Sequence, residues 1–210
     1  MKKKEFIVIE KKLLPELPAG FTLKGDMMVF GSVEHILRAV LLERSIDPRS
    51  FYVHVFFQLL YVPFKFVNLT LGNRLRHSGR ESWNADDPAL LGELAAVITK
   101  QGMPFLNSVG TIEGVLDYLN NKIKEVPQSE QGLKALGYTL ALVSNASAAR
   151  DALDRNLKLY DISIGWQQEA ATEAQLLKKL LDNPVEARNQ LMQWEAETVR
   201  NLGLEDLWQM

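Results

Sequence analysis

Three arginines and a histidine fall within seven residues in Asn73-Arg74-Leu75-Arg76-His77-Ser78-Gly79-Arg80. Guanidinium groups this close together suit a phosphate or a carboxylate, because the planar fork donates parallel hydrogen bonds to either. The run could also track a nucleic-acid backbone, but Trp83 is the only nearby aromatic on which a base could stack. The competing expectation is a solvated loop, or arginines docked on the acidic helical half of the chain. His54 and Gln58 form the second candidate. Four apart on a strand, they share a face at a separation of about 13 Å, too far to hold one ion or one proton. The binding candidates are therefore Arg74, Arg76, His77, Arg80, His54 and Gln58, and no residue is assigned a catalytic role.

Other chemistry is sparse. The chain lacks an HExxH zinc motif, a GxSxG elbow, a GxGxxG fingerprint and a glycine-rich phosphate loop with lysine. The absence of cysteine excludes disulfides, thiolate nucleophiles, iron–sulfur clusters and cysteine-bound zinc. Three histidines, His35, His54 and His77, are too scattered to suggest a metal site, and no metal or cofactor is expected. Asp86-Asp87 precedes Pro88 and reads as a helix start, where negative charge complements the helix dipole. Trp194-Glu195-Ala196-Glu197 and Trp208 read as amphipathic packing, and Lys2–Lys4 as a solvated end.

The elements that position these residues centre on Phe51–Leu71, the longest apolar stretch. A membrane-spanning helix needs about 20 predominantly apolar residues. Here His54, Gln58, Lys65 and Asn68 interrupt the run and Pro63 would break it. Alternation instead predicts strands. Val53, Val55, Phe57, Leu59 and Tyr61 form an apolar row, and Tyr52, His54, Phe56, Gln58 and Leu60 a mixed row. A second strand is expected over Phe64–Leu71, with Pro63 at the turn. Upstream, Glu5–Leu14 has helical spacing, Phe21–Lys24 and Met27–Phe30 can pair across Gly25-Asp26, and Glu34–Arg44 is favoured as a strand over a helix. The product is an antiparallel sheet of four or five strands with a helix on one face.

The rest is helical. Helices are expected from Asp87-Pro88 to Gly102, after Thr111, after Ser129, from Ala148, over Gln167–Leu181, and from Asn183 to Gly203. Residues 136–153 resemble a single tetratricopeptide-like helix pair, which is too few for a solenoid, and closely packed ordinary helices explain them better. The reading is thus an α+β fold, with residues 1–82 a helix and sheet region and 83–210 a helical region packed on it, either separate or continuous. Residues 1–82 hold 13 Lys+Arg against 8 Asp+Glu, and the remainder 11 against 18. Such asymmetry marks a partner-binding end, or draws the halves together. The overall charge of −2 favours no nucleic acid. The N-terminal apolar core, Phe6–Ile9, is too short for a secretory signal, which needs about 7–15 apolar residues. The two glycosylation sequons at Asn68 and Asn145 are read as chance.

A short N-terminal helix, GFTLKGDMMVF, FYVHVFFQLLYVP with Gln58, and FVNLTLGNRL with Asn68, Gly72 and Arg74 follow one another in the first third. In this order they resemble bacterial proteins of the domain-of-unknown-function family numbered 4304 and its relatives. There, a helix ending in Gly-Phe leads into strands containing a glutamine and then a strand ending in a glycine. The resemblance implies an α+β fold in a bacterial cytoplasmic protein of accessory or immunity type, and carries over no functional residue. The leading expectation is a non-catalytic cytoplasmic protein that binds another protein, with a homodimer left open and no membrane partner. The alternatives are an enzyme or small anionic-ligand protein with a site between sheet and helices, and nucleic-acid binding through Arg74–Arg80.

Overall fold

The computed structural model describes residues 3–209 and has an α+β fold. It divides into two compact units, and the chain passes between them after Gln58, Val67, Gly110 and Glu205. The boundary expected at 82/83 falls inside the first unit.

The first unit holds the sheet. Helix α1 (Lys3–Leu13) precedes β1 (Phe21–Lys24), β2 (Met27–Phe30), β3 (Ile36–Arg44), β4 (Ser50–Leu59), β5 (Gly72–Arg74) and β6 (Ser82–Asn84). The strands form one six-stranded antiparallel sheet in the order β1-β2-β3-β4-β5, with β6 also paired to β4. The expected β1–β2 hairpin is present, Lys24 pairing with Met27 across Gly25-Asp26 and Gly25 taking a φ of 63°. The stretch 34–44 is a strand, as favoured, from Ile36 to Arg44. The apolar row of β4 faces three helices. Phe51, Val53 and Val55 pack with Phe6 and Leu13 of α1, Leu90 and Leu94 of α2 (Leu90–Val97), and Leu106 of α3 (Met103–Ser108). Phe6 meets Phe51 edge-on at 5.8 Å. Each such fully buried side chain contributes about 1.5–3 kcal/mol of hydrophobic stabilisation.

Several expectations are corrected here. Phe64–Leu71 is not a strand, because its backbone donors bond to side chains: Phe64 N–H to Thr198 Oγ1, Asn68 N–H to Gln58 Oε1, and Thr70 N–H to Asn68 Oδ1. The partner of β4 is β5, a few residues later. The sheet has six strands rather than four or five, since the short β6 gives little alternation to read. The helix expected from Asp87-Pro88 begins at Leu90, because Asp87 Oδ1 accepts the Ala89 N–H at 2.9 Å in a preceding turn. Gly102 does not stop it; a wider π turn over Ile98–Gly102 carries the chain into α3. α1 starts at Lys3 rather than Glu5, and Lys2 lies outside the described residues.

The second unit holds α4 (Ile112–Glu125), α5 (Glu130–Leu142), α6 (Ala146–Leu157), α7 (Gly165–Leu180) and α8 (Pro184–Leu202), with the segment Leu59–Val67. The expected caps Thr111, Ser129 and Asn183 each accept a backbone N–H from the first turn of their helix, and Gly203 closes α8 in the left-handed region at φ 65°. Asn145 caps α6 as well, which therefore begins at Ala146 rather than at Ala148. Consecutive helices pack pairwise and α8 returns to α5. α5 is therefore buried on nearly every side, including Leu133, Lys134, Leu136, Tyr138 and Leu142. Among the described residues no helix is long and apolar enough to cross a membrane.

Candidate functional site

The β4–β5 register sets His54 opposite Arg74, so the two sequence candidates meet on the sheet. The Arg74 guanidinium lies over the Tyr52 ring at 4.1 Å, and its Nη2 is 3.1 Å from Glu43 Oε2. His54 Nε2 is 2.7 Å from the same carboxylate oxygen and 3.3 Å from Arg74 Nε. One ring nitrogen cannot both donate to a carboxylate and accept from a guanidinium. The shorter contact decides: Nε2–H donates to Glu43, and Arg74 Nε is a neighbour only. Arg74 Nη1 also approaches Glu81 at 3.6 Å, and Arg76 donates to Glu81 Oε1 from Nε and Nη2 at 3.1 and 2.7 Å. The Arg76 and Arg74 guanidinium groups hold the Glu81 carboxyl below the usual glutamate range.

The other candidates disperse. His77 stacks on Trp83 at 5.3 Å and stands 3.3 Å from Glu93. Arg80 pairs with His77 only through backbone, at 2.8 Å in both directions, and its side chain is exposed. Gln58 is 2% exposed and spends its carbonyl on Asn68 N–H at 2.9 Å. His54 is 8% exposed, so the mixed row of β4 is buried as well as the apolar one. Arg74 and Arg76 are thus bound to carboxylates of their own unit, Glu43 and Glu81, and His77 stands against Glu93 of helix α2. Among the described residues no group of three or more His, Asp or Glu is arranged to hold a metal ion.

A second site lies wholly within the helical unit, where a cavity of about 250 Å³ opens between the segment 63–66 and helices α5, α7 and α8. Hydrogen bonds hold that segment in place. Thr198 Oγ1 donates to Val62 O and accepts from Phe64 N–H, both at 3.4 Å, and Asn201 Nδ2 donates to Phe64 O at 3.2 Å. Tyr61 meets Thr139 at 2.8 Å behind it. Aromatic walls come from Phe64, Phe66, Tyr160, Trp166 and Trp194.

Lys134 is the unusual group in this cavity. It is 4% exposed, its ammonium bonds to Glu173 at 3.2 Å, and it lies 5.3 Å from the Phe64 ring and 5.7 Å from the Tyr138 ring. Burial lowers the Lys134 pKa against the pull of Glu173, and burial raises the Glu173 pKa against the pull of Lys134. Desolvation therefore outweighs mutual attraction for both partners. Tyr138 packs on Trp194 at 5.5 Å, and its hydroxyl has no hydrogen-bond partner. Burial raises both phenol pKa values, that of Tyr160 against the opposing pull of the Asn156 side chain. Nearer the surface Lys65 pairs with Glu169 at 3.0 Å. Phe66 and Trp166, at 69% and 54% exposure, stand at the rim.

Sequence reasoning missed this cavity. Trp194 was expected only as packing, and Phe64 and Phe66 were expected in a strand. One signal was present: Lys134 and Tyr138 sit four apart in QGLKALGYTLAL, a helix apolar on almost every side. Such a helix is buried all round and carries its lysine inside with it.

No protein-family model matches the sequence, and neither the curated proteins nor the solved structures include a similar one.

Proposed function

We propose that this is a non-catalytic binding protein that docks another protein through the aromatic cavity of its helical unit. The observation that carries the reading is the concentration of exposed apolar side chains at a concave place. Phe66 and Trp166 stand more than half exposed at the rim, and Ile162 and Ile164 are exposed in the turn leading into α7. Large apolar side chains clustered beside a pocket and bordered by charge mark protein-interaction surfaces, and Trp is prominent among their anchors. Lys65, Glu169 and Glu197 supply the charge here. An accessory or immunity-type role in a bacterial cytoplasm is the form of this function that the resemblance of the first third favours.

Affinity capture from native bacterial cytosol tests it. Wild-type protein retains a partner that Trp166→Ala and Phe66→Ala lose while their unfolding midpoints stay unchanged. Identical retained proteins for wild type and both variants would sink the reading.

A small ligand in the same cavity is the second reading, favoured by the polar Lys134, Glu173 and Tyr160 side chains among its aromatic lining. At about 250 Å³ the space is smaller than the roughly 300–1,000 Å³ usual for such ligands. The arginine loop has less to recommend it as an anion or nucleic-acid site, since Arg74 and Arg76 are already held by Glu43 and Glu81.

A further inference from the structure

We propose that Lys134 is a covalent anchor for a small uncharged aromatic aldehyde, which the cavity seats and which condenses with the lysine amine to an imine; this goes beyond the docking reading, does not rest on it, and gives the small-ligand reading its chemistry.

Lys134 and Glu173 both line the cavity, so a ligand held there lies against amine and carboxyl together. The Lys134 Nζ stands 3.2 Å from Glu173 Oε2 and 5.3 Å from the ring of Phe64, another wall. An ammonium carries three donors, and among the described residues this one makes a single hydrogen bond. At 4% exposure, ring faces stand where water would take the other two. Such a site favours the neutral amine, which is the nucleophile. The charges around it act in the same sense. Burial lowers the Lys134 pKa and outweighs the upward pull of Glu173 and Glu130, while burial, Glu169 and Glu197 raise the pKa of Glu173. Lys65 lines the same cavity as a contrast. It is exposed, and its bond to Glu169 raises its pKa, so it stays an ammonium.

Glu173 moves the protons. It takes one from the Lys134 ammonium, and the freed nitrogen pair forms a bond to the carbonyl carbon. Glu173 returns that proton to the carbonyl oxygen, giving the protonated carbinolamine, then takes a second from the nitrogen. The second proton goes to the departing hydroxyl, the C–O bond breaks, and water leaves. The product is a protonated imine beside the Glu173 carboxylate, so the charge of the pair is unchanged and nothing is oxidised or reduced. The walls select the aldehyde. Phe64, Tyr160, Trp166 and Trp194 suit an aromatic ring. About 250 Å³ lies below the roughly 300–1,000 Å³ of ordinary ligand pockets, so the compound is small. Glu169, Glu173 and Glu197 outnumber Lys65 and Lys134 along the lining, which disfavours an anionic aldehyde.

The test uses the full chain, benzaldehyde as probe, and cyanoborohydride, whose hydride reduces the protonated imine to a stable benzylamine. Peptide mapping at neutral pH should find the benzyl group on Lys134 at least about tenfold sooner than on the exposed Lys65, Lys158 and Lys179, since each unit of lowered pKa raises the neutral fraction about tenfold. The Lys134 rate should also level off at lower pH than theirs. Excess benzyl alcohol, which fills the same space and cannot condense, should slow Lys134 alone. Lys134→Arg should lose the fast site and leave the slow ones. 4-Carboxybenzaldehyde should label Lys134 more slowly than benzaldehyde does, and the reverse order would overturn the uncharged assignment. Labelling of Lys134 no sooner than of Lys65 would overturn the anchor. If benzyl alcohol then still shifts the indole N–H signals of Trp166 and Trp194, the small-ligand reading stands, and if it does not, that reading falls too. Partner capture decides the docking reading separately from all of these outcomes.

Discussion

In the sheet unit Glu43, His54, Arg74, Glu81 and Arg76 form a chain in which each cation touches a carboxylate, and the glutamates and arginines stay partly in water. In the helical unit Lys134 and Glu173 form a pair largely removed from water, beside the Tyr138 hydroxyl, which bonds to nothing. The first region has the greater density of titratable groups. Among the described residues the helical unit has more of the buried polar atoms without a partner, Tyr138 Oη and Asn156 Oδ1 against Trp83 Nε1 of the sheet unit. Ion pairs at half-exposed positions satisfy themselves and contribute about 0–1 kcal/mol. A lysine at 4% exposure survives only where its counter-charge is held in place. Richness in charge therefore points to the sheet unit, and unsatisfied chemistry points to the helical one.

The sharpest break of this contrast is Glu173→Ala. It strands the buried Lys134 ammonium and is expected to cost about 3 kcal/mol, measured by urea unfolding with hydrogen exchange reporting on α5. Lys134→Met combined with Glu173→Leu removes both charges and should return stability to within about 1 kcal/mol of wild type. A cost for Glu173→Ala of under about 1 kcal/mol would make the pair no different from the exposed one at Glu43 and Arg74.

Next in size is Gly72→Ala. A Cβ there would lie 2.5 Å from Val55 O and 2.6 Å from Phe56 Cβ, so backbone must move. The expected loss is about 2 kcal/mol, with faster exchange at the Phe57 and Leu75 amides that tie β4 to its neighbours at Leu71 and Val53. Gly137→Ala in α5 is the helical counterpart. Its Cβ would meet Leu153 Cδ2 at 2.8 Å and Cγ at 2.9 Å, so a side chain rather than a strand backbone must shift, and alanine returns about 1 kcal/mol of helix propensity. The sheet glycine should therefore prove the costlier of the two.

The two regions also differ in how openly the sequence displays them. Alternation in β4, the Gly25-Asp26 turn and the caps Thr111, Ser129, Asn145 and Asn183 are local signals, and each has the geometry its residues suggest. His54 and Arg74 were marked by residue type, but their meeting depends on where β5 begins. That start was obscured because Asn68 and Gln58 take backbone donors that a strand would have used. The cavity depends on partners distant in sequence, with Phe64 fastened by Thr198 and Asn201. No spacing rule joins residues so far apart. Lys134 inside an apolar helix was the one readable sign, and it signals burial without saying what lies opposite.

Glu43→Gln probes the sheet unit on its own terms. The variant keeps a hydrogen-bond acceptor for His54 and Arg74 but removes the charge, from a side chain 39% exposed. The expected cost is about 0.5 kcal/mol by urea unfolding. A loss several times larger would mean that the network around Arg74 behaves as a buried one, and the contrast between the units would narrow.

Acidification gives the smallest effect and separates the two signs. Glu81 has a pKa lowered from the ordinary 4.5 by its bond to Arg76, so the folded state holds its proton less readily than the unfolded chain. Its contribution is present above 4.5 and is lost as pH falls through the lower folded value. Asp47 and Asp206 of the same unit, also lowered, act in the same direction. Glu173 is the reverse. Burial raises its pKa above 4.5, so the folded state binds the proton first, and stability rises as pH falls through that higher value. Glu130 is raised by burial as well and adds to this, while Asp161, lowered by Ser163, opposes it. Amide exchange read unit by unit on either side of pH 4.5 should therefore show protection in α5 and α7 increasing first, and protection in β4 and β5 decreasing later. Glu173→Gln reduces the first change and Glu81→Gln the second. Parallel loss of protection in both units, unaltered by either variant, would mean that global charge repulsion rather than these carboxylates governs the acid response.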